Sequence, residues 1–266
     1  MKITVENYQF WIFAVGGGLL ALAYGRAIPE AAPTVAPYEL ALAIDPDYAL
    51  GHYNVGVAAQ QAGQPEAAHA HYRAALAADP HDHTPCFNDA KVSLELGKLD
   101  EAVEAARCAV RYDKADAAAV DLLGQVLVAR GEHAEAAEVL ERALRMRPAN
   151  TPTRIELGAA YAGLSRYAEA EQTLRAAVLA RPDLAEAWFN LGLVTWKRGD
   201  VDDAYASFER AVDADPRMVK AMGNLVFLDV EAGRRARAIS WLDRILTVAP
   251  RDQRAQKLRE ELIRAP

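Results

Sequence analysis

The 266-residue chain has only two cysteines, Cys86 and Cys108, too few for a disulfide framework. No C-x-x-C, C-x-x-C-H or zinc-finger spacing accompanies them, so the ordinary redox, haem and structural-zinc motifs are excluded. A glycine-rich phosphate loop, H-E-x-x-H, a nucleophile elbow and a kinase-type residue set are all missing too. No catalytic residue, cofactor or small-molecule substrate is therefore expected. Basic residues are in the minority, 30 Lys and Arg against 37 Asp and Glu, for a formal net charge of −7. Nucleic acid is a poor partner for such a chain, because binding phosphates requires clustered cations. Aromatic residues are only 8% of the chain, but 52% is hydrophobic, which suffices for a packed core and is too much for disorder.

Long uncharged runs are also scarce, and the clearest is Phe10 to Gly25, FWIFAVGGGLLALAYG. Lys2 and Glu6 precede it and Arg26 follows, so residues 1–9 form a short tail. Its length is at the short end of what crosses a ~30 Å hydrocarbon layer. Tyr8, Trp11 and Tyr24 stand where interfacial aromatics stand, and Gly16, Gly17 and Gly18 suit close helix contact in lipid. The segment is expected to be a transmembrane signal anchor. Two other readings stay open: a signal peptide cleaved near Ala21-Leu22-Ala23, and a buried soluble helix. Lys2 and the amino terminus outweigh Arg26, which places the N-terminus in the cytoplasm and the rest of the chain outside it. In a Gram-negative cell that is the periplasmic side of the inner membrane. Residues 26–37, with Pro29, Pro33 and Pro37 among alanines, read as a semi-rigid linker.

From Tyr38 the pattern becomes helical and periodic. In rows of 34 residues starting at 49, 83, 117, 151, 185 and 219, whole columns agree. Column eight reads Gly56, Ala90, Gly124, Gly158, Gly192, Val226, and column fifteen reads Gly63, Gly97, Gly131, Ser165, Gly199, Gly233. Column twenty is Ala68, Ala102, Ala136, Ala170, Ala204 and Ala238; column thirty-two is proline in every row but the second, which has Lys114. Glycine at fifteen supplies the left-handed residue that ends one helix, and proline at thirty-two stops a second. Small residues at eight and twenty let two helix axes approach, while larger apolar residues at seven and twenty-four fill the space between units. No hairpin of this kind buries its apolar face alone, so the six must stack.

W-x-x-L-G followed by A-x-x-x-F-x-x-A-x-x-x-x-P resembles the tetratricopeptide repeat. The row from Ala185 carries it best, through Trp188, Leu191, Gly192, Ala204, Phe208, Ala211 and Pro216. The resemblance implies an all-α, right-handed superhelical solenoid, here with one N-terminal transmembrane helix. Its six repeats run 49–82, 83–116, 117–150, 151–184, 185–218 and 219–252, behind a half-repeat at 38–48 and before a capping helix at 253–266. Asp89, Lys114 and Val226 depart from the pattern and question only local packing.

The resemblance also implies a partner-binding groove on the first helices of the repeats, at columns two, five, nine and twelve. Relatives that clamp a C-terminal carboxylate carry Lys at five with Asn at nine, and no row here has that pair. The groove reads instead as apolar: Tyr53, Val57, Phe87, Leu94, Ile155, Phe189, Leu193, Trp196 and Phe227. The expected partner is a helical or extended segment of another protein, within a membrane complex. The expected function is a single-pass, membrane-anchored scaffold or adaptor without catalysis. The alternative is a structural transmembrane subunit whose glycine face packs on other subunits while the repeats lie peripherally. Residues 231–266 hold nine Lys and Arg against five Asp and Glu, read as a solvated cap face or a docking patch.

Three readings of His81, His83, Cys86 and Cys108 remain: no metal site with the cysteines as small core residues, a metal site of irregular spacing, or a disulfide. A disulfide is conceivable because Cys86 starts one helix and Cys108 ends its antiparallel mate. It would place the repeats in an oxidising compartment.

Overall fold

The computed structural model describes residues 35–264; among them are fourteen α-helices and no strand. The chain divides into two compact units, Met1–Leu122 and Leu123–Pro266. The first holds α1 (Ala36–Ile44), α2 (Ala49–Gln61), α3 (Pro65–Ala78), α4 (Thr84–Glu95) and α5 (Leu99–Tyr112), and α6 (Ala117–Arg130) carries the division. The second holds α7 (His133–Met146), α8 (Thr151–Gly163), α9 (Tyr167–Ala180), α10 (Ala185–Arg198), α11 (Val201–Ala214), α12 (Val219–Glu231), α13 (Arg235–Val248) and α14 (Gln253–Arg264).

Within the units, α2 packs on α3, α4 on α5, α8 on α9, α10 on α11 and α12 on α13, each pair being one hairpin. Each hairpin turns at column fifteen, where Gly63, Gly97, Gly131, Gly199 and Gly233 adopt φ of 68° to 92° and Ser165 adopts 59°. The following residue then bonds back to the first helix, as in Gln64 N–H to the Ala59 carbonyl and Arg166 N–H to the Tyr161 carbonyl. This bond closes the open carbonyls of the first helix.

The second helix of each hairpin stops before column thirty-two, and α5 ends at Tyr112 even though Lys114 replaces the proline. The turn is held there by Asp113, which accepts from the Ala115 N–H at 2.8 Å, as Asp79 accepts from His81 at 2.9 Å and Asp215 from Arg217 at 2.9 Å. A short acid side chain mimics the backbone of a turn, so proline is not required. Column four supplies a second clasp. His52, Arg154, Trp188 and Gln256 each reach the carbonyl of the proline six residues before them, at 2.7 to 2.9 Å.

Close helix approach accounts for column eight. A Cβ on Gly56 would meet Tyr72, on Gly124 and Gly158 it would meet Leu140 and Leu174, and on Gly192 it would meet Phe208, all within 2.4 to 2.8 Å. The large residue of column twenty-four thus lies on the bare backbone of its partner helix. Tyr72, Leu140, Leu174 and Phe208 are fully buried as a result. In the second unit a continuous core runs from Ala204 to Ala255, and Leu258 and Leu262 of α14 cover its end.

The transmembrane helix expected at 10–25 lies outside the described residues, as do the tail at 1–9 and most of the linker. No described helix is long and apolar enough to cross a membrane. Ala36 and Pro37, expected at the end of the linker, are helical: Pro37 sits in the first turn of α1, where a missing N–H is no loss.

Candidate protein-binding site

The residues expected in the groove separate into three sets. In the second unit, α10 and α12 bring four of them together. Phe189 and Leu193 pack against the core below, with the Phe189 ring 5.8 Å from the buried Phe208 ring. Trp196 is half-buried and its ring lies 5.3 Å from Phe227, tilted by 54°. Phe227 is 47% exposed, and Val230, three residues on, is 38% exposed. The spacing of three puts Phe227 and Val230 on one face of α12. Gly223 extends that face with open space around its would-be Cβ, unlike the column-eight glycines. Phe189 is flanked by the Lys220 ammonium, 4.5 Å from the ring centroid and paired with Glu186 at 2.7 Å. The result is an apolar shelf with a polar edge, which can accept the apolar side of another chain.

In the first unit, Tyr53 and Val57 of α2 pack on the cluster around Tyr72, with the Tyr53 and Tyr72 rings 6.0 Å apart. Asn88 of α4 donates to the Tyr53 hydroxyl at 3.4 Å, and Lys91 lies 5.9 Å from the Phe87 ring. Leu94 is half-buried on the same helix. Ile155 is different: it is only 6% exposed and belongs to the core of the second unit. A column places a residue on a side of the helix but does not reveal how deeply neighbouring side chains cover it.

The sequence reading missed two buried polar networks. His69 of α3 places Nδ1 2.6 Å from Asp89 Oδ1 and Nε2 2.7 Å from Glu101 Oε2, with Ser93 Oγ 3.2 Å from Nδ1. Asp89 is wholly buried and its second oxygen has no hydrogen-bond partner. Burial pushes the Asp89 carboxyl up from its ordinary range, against the opposing pull of His69 and then Arg73. In the second unit Tyr205 donates to Asp229 Oδ2 at 2.9 Å and accepts from Trp241 Nε1 at 3.1 Å, while Arg234 Nε donates to Asp229 Oδ1 at 2.6 Å. Burial is also the main cause that raises the Tyr205 hydroxyl. The available signal was an acid in an apolar column: Asp89 stands where other rows carry Val or Leu.

The cysteines are joined: Cys86 of α4 and Cys108 of α5 form a disulfide with Cα atoms 5.8 Å apart. His83, the residue before α4, has its Nδ1 3.5 Å from Cys108 Sγ. His81 is in the turn, where its backbone N–H donates to Asp79.

Tetratricopeptide repeat family models match residues 49–82, 88–151, 155–219 and 196–262. The chain belongs to the tetratricopeptide repeat family. Solved structures share its fold. The chain is 18% identical to PilW, a type IV pilus biogenesis factor, with a TM-score of 0.68 covering 79% of this chain and 97% of that one. It is 16% identical to a chain of the APC/C hetero-tetramer Cut9-Hcn1, with a TM-score of 0.65 covering 92% of this chain and 51% of that one. This chain thus spans about half the length of that one. TTC0263, a thermophilic tetratricopeptide repeat protein of Thermus thermophilus, is 22% identical, with a TM-score of 0.55 covering 68% of this chain and 99% of that one. No curated protein matches the chain in sequence.

Proposed function

We propose that this protein is a membrane-anchored adaptor, without catalysis of its own, that holds an amphipathic helix of a partner protein on the shelf formed by α10 and α12. The observation that carries this reading is the pairing of Trp196 with an exposed Phe227, beside an exposed Val230 and the open space at Gly223. Large side chains left uncovered side by side favour a partner that covers them, because that burial is worth ~25 cal/mol per Å² of apolar surface. Aromatic residues also dominate the energetics of such contacts. The Cut9-Hcn1 hetero-tetramer supports the idea that this fold holds other chains.

The membrane part rests on the uncharged run from Phe10 to Gly25, and the extracytoplasmic placement on Lys2 against Arg26. The Cys86–Cys108 disulfide favours the same side, since such bonds persist in oxidising compartments.

The test is recovery of partners from gently solubilised native membranes with the intact chain and with a Phe227→Ala/Val230→Ser variant. Both side chains are exposed, so the variant should keep its helical circular dichroism and its melting temperature. A partner recovered with the intact chain and reduced at least tenfold by the variant supports the reading. A partner retained equally by both moves the interface elsewhere. Replacing Gly16, Gly17 and Gly18 with leucine then asks whether the N-terminal run packs on other subunits or only anchors.

A further inference from the structure

The three groups His83, Cys86 and Cys108 converge beside the α4–α5 packing, away from the shelf on α10 and α12. One ligand atom of each lies within 4.8 Å of the other two. His83 and Cys86 are three residues apart across the start of α4, which puts their side chains on one side of the helix, and Cys108 faces them from the antiparallel α5. The surroundings are uneven. Cys86 is fully buried against Ala109 and Ala119, while His83 and Cys108 are partly exposed, so the cluster meets solvent at His83 and Cys108. The His83 ring is braced edge-on by Tyr112, 5.6 Å between centroids.

We propose that, when its disulfide is reduced, this cluster is a zinc site with Cys86, Cys108 and His83 Nδ1 as ligands and water in the fourth position. Zinc takes thiolate sulfur at about 2.3 Å and imidazole nitrogen at about 2.0–2.1 Å in a tetrahedron, which sets a sulfur-to-nitrogen edge of about 3.5 Å. His83 Nδ1 is already 3.5 Å from Cys108 Sγ. The two sulfurs must separate to about 3.8 Å, the other tetrahedral edge, once the bond between them is broken. Three protein ligands and one open position set this site apart from the closed four-ligand form of a structural zinc site.

The redox step needs a dithiol reductant. Its two thiols break the Cys86–Cys108 bond by thiol–disulfide exchange, donate two electrons and two protons, and leave as a cyclic disulfide. Zinc then displaces the two thiol protons and forms two zinc–sulfur bonds. Reoxidation reverses both steps and expels the ion. The hairpin α4–α5 is thus tied covalently in one state and by a metal in the other.

The test uses the full chain, oxidised or reduced with a phosphine, titrated with zinc against a chromogenic chelator and with cobalt as a spectroscopic substitute. The expected result is one zinc per reduced chain, none per oxidised chain, and a cobalt spectrum with thiolate charge-transfer bands and tetrahedral d–d intensity. His83→Ala keeps the disulfide and the fold, and should weaken zinc binding by the reduced chain by more than the ~10–100-fold that follows loss of an outer-shell partner. Cys86→Ser/Cys108→Ser should abolish it. No zinc uptake by the reduced chain overturns the proposal, as does uptake that His83→Ala leaves unchanged.

Discussion

Ser165 holds a φ of 59° in a position where five other repeats have glycine. A left-handed residue with a Cβ is strained by about 1–2 kcal/mol, and Ser165→Gly trades that strain for a looser unfolded chain. The net expected effect is a gain of about 0.5–1 kcal/mol, read as a higher denaturant midpoint at unchanged slope. His69 presents the opposite case. Removing it leaves Asp89, buried and already short of one partner, without its nearest neighbour. His69→Ala should destabilise by about 1–3 kcal/mol, the range for leaving a buried polar group without its hydrogen-bond partner. The pH dependence follows from the direction of the Asp89 shift. Its folded pKa is raised, so the folded state holds the proton more tightly than the unfolded state does. That contribution is complete below the unfolded value of ~3.9 and is lost as pH rises through the folded value. Asp89→Asn, which His69, Ser93, Glu101 and Arg73 would still surround, should flatten stability against pH above ~3.9. Urea midpoints measured from pH 4 to 7 check this.

At the scale of the helical element, two glycines that look alike in sequence behave differently. Gly192 lies inside α10 against Phe208, where an added Cβ would sit 2.6 Å from the ring. Gly192→Ala should destabilise by about 1–3 kcal/mol through overpacking. Gly223 lies inside α12 with nothing within 4 Å, so Gly223→Ala should gain up to about 1 kcal/mol from helix propensity alone. Thermal melts of the two variants side by side separate close approach from mere helix weakness. The column-eight glycines were legible in the sequence because a 34-residue period repeats them. Gly223 falls in column five and carried no such mark. Lys114 shows the converse: its row lacks the proline stop, yet α5 ends at Tyr112 because Asp113 forms the turn by itself.

For the whole molecule, stability in stacked repeats is a sum of local terms, so a crosslink acts mainly where it is made. The Cys86–Cys108 bridge spans a sequence separation of 22 residues. Its removal by Cys86→Ala/Cys108→Ala should cost about 3 kcal/mol on the chain-entropy account. Amide hydrogen exchange should show protection falling first in α4 and α5, with α10 to α12 changing least.

The repeat period, the positions of the hairpin turns and the absence of catalytic motifs were properties of the sequence by itself. They follow from short-range rules: a left-handed residue ends a helix, a small residue permits close approach, and 34 residues make two helices and their turns. The shelf on α10 and α12 was partly legible, since the columns named Phe189, Trp196 and Phe227. That Ile155 is covered, that Phe227 and Val230 are exposed beside Trp196, that His69 sits between two acids and that Cys86 meets Cys108 was decided by the tertiary structure. Each of these depends on side chains twenty or more residues apart, or on the depth of cover over one side chain. A repeat pattern records which side of a helix a residue occupies, but burial and pairing are set by what the neighbouring hairpin places against it.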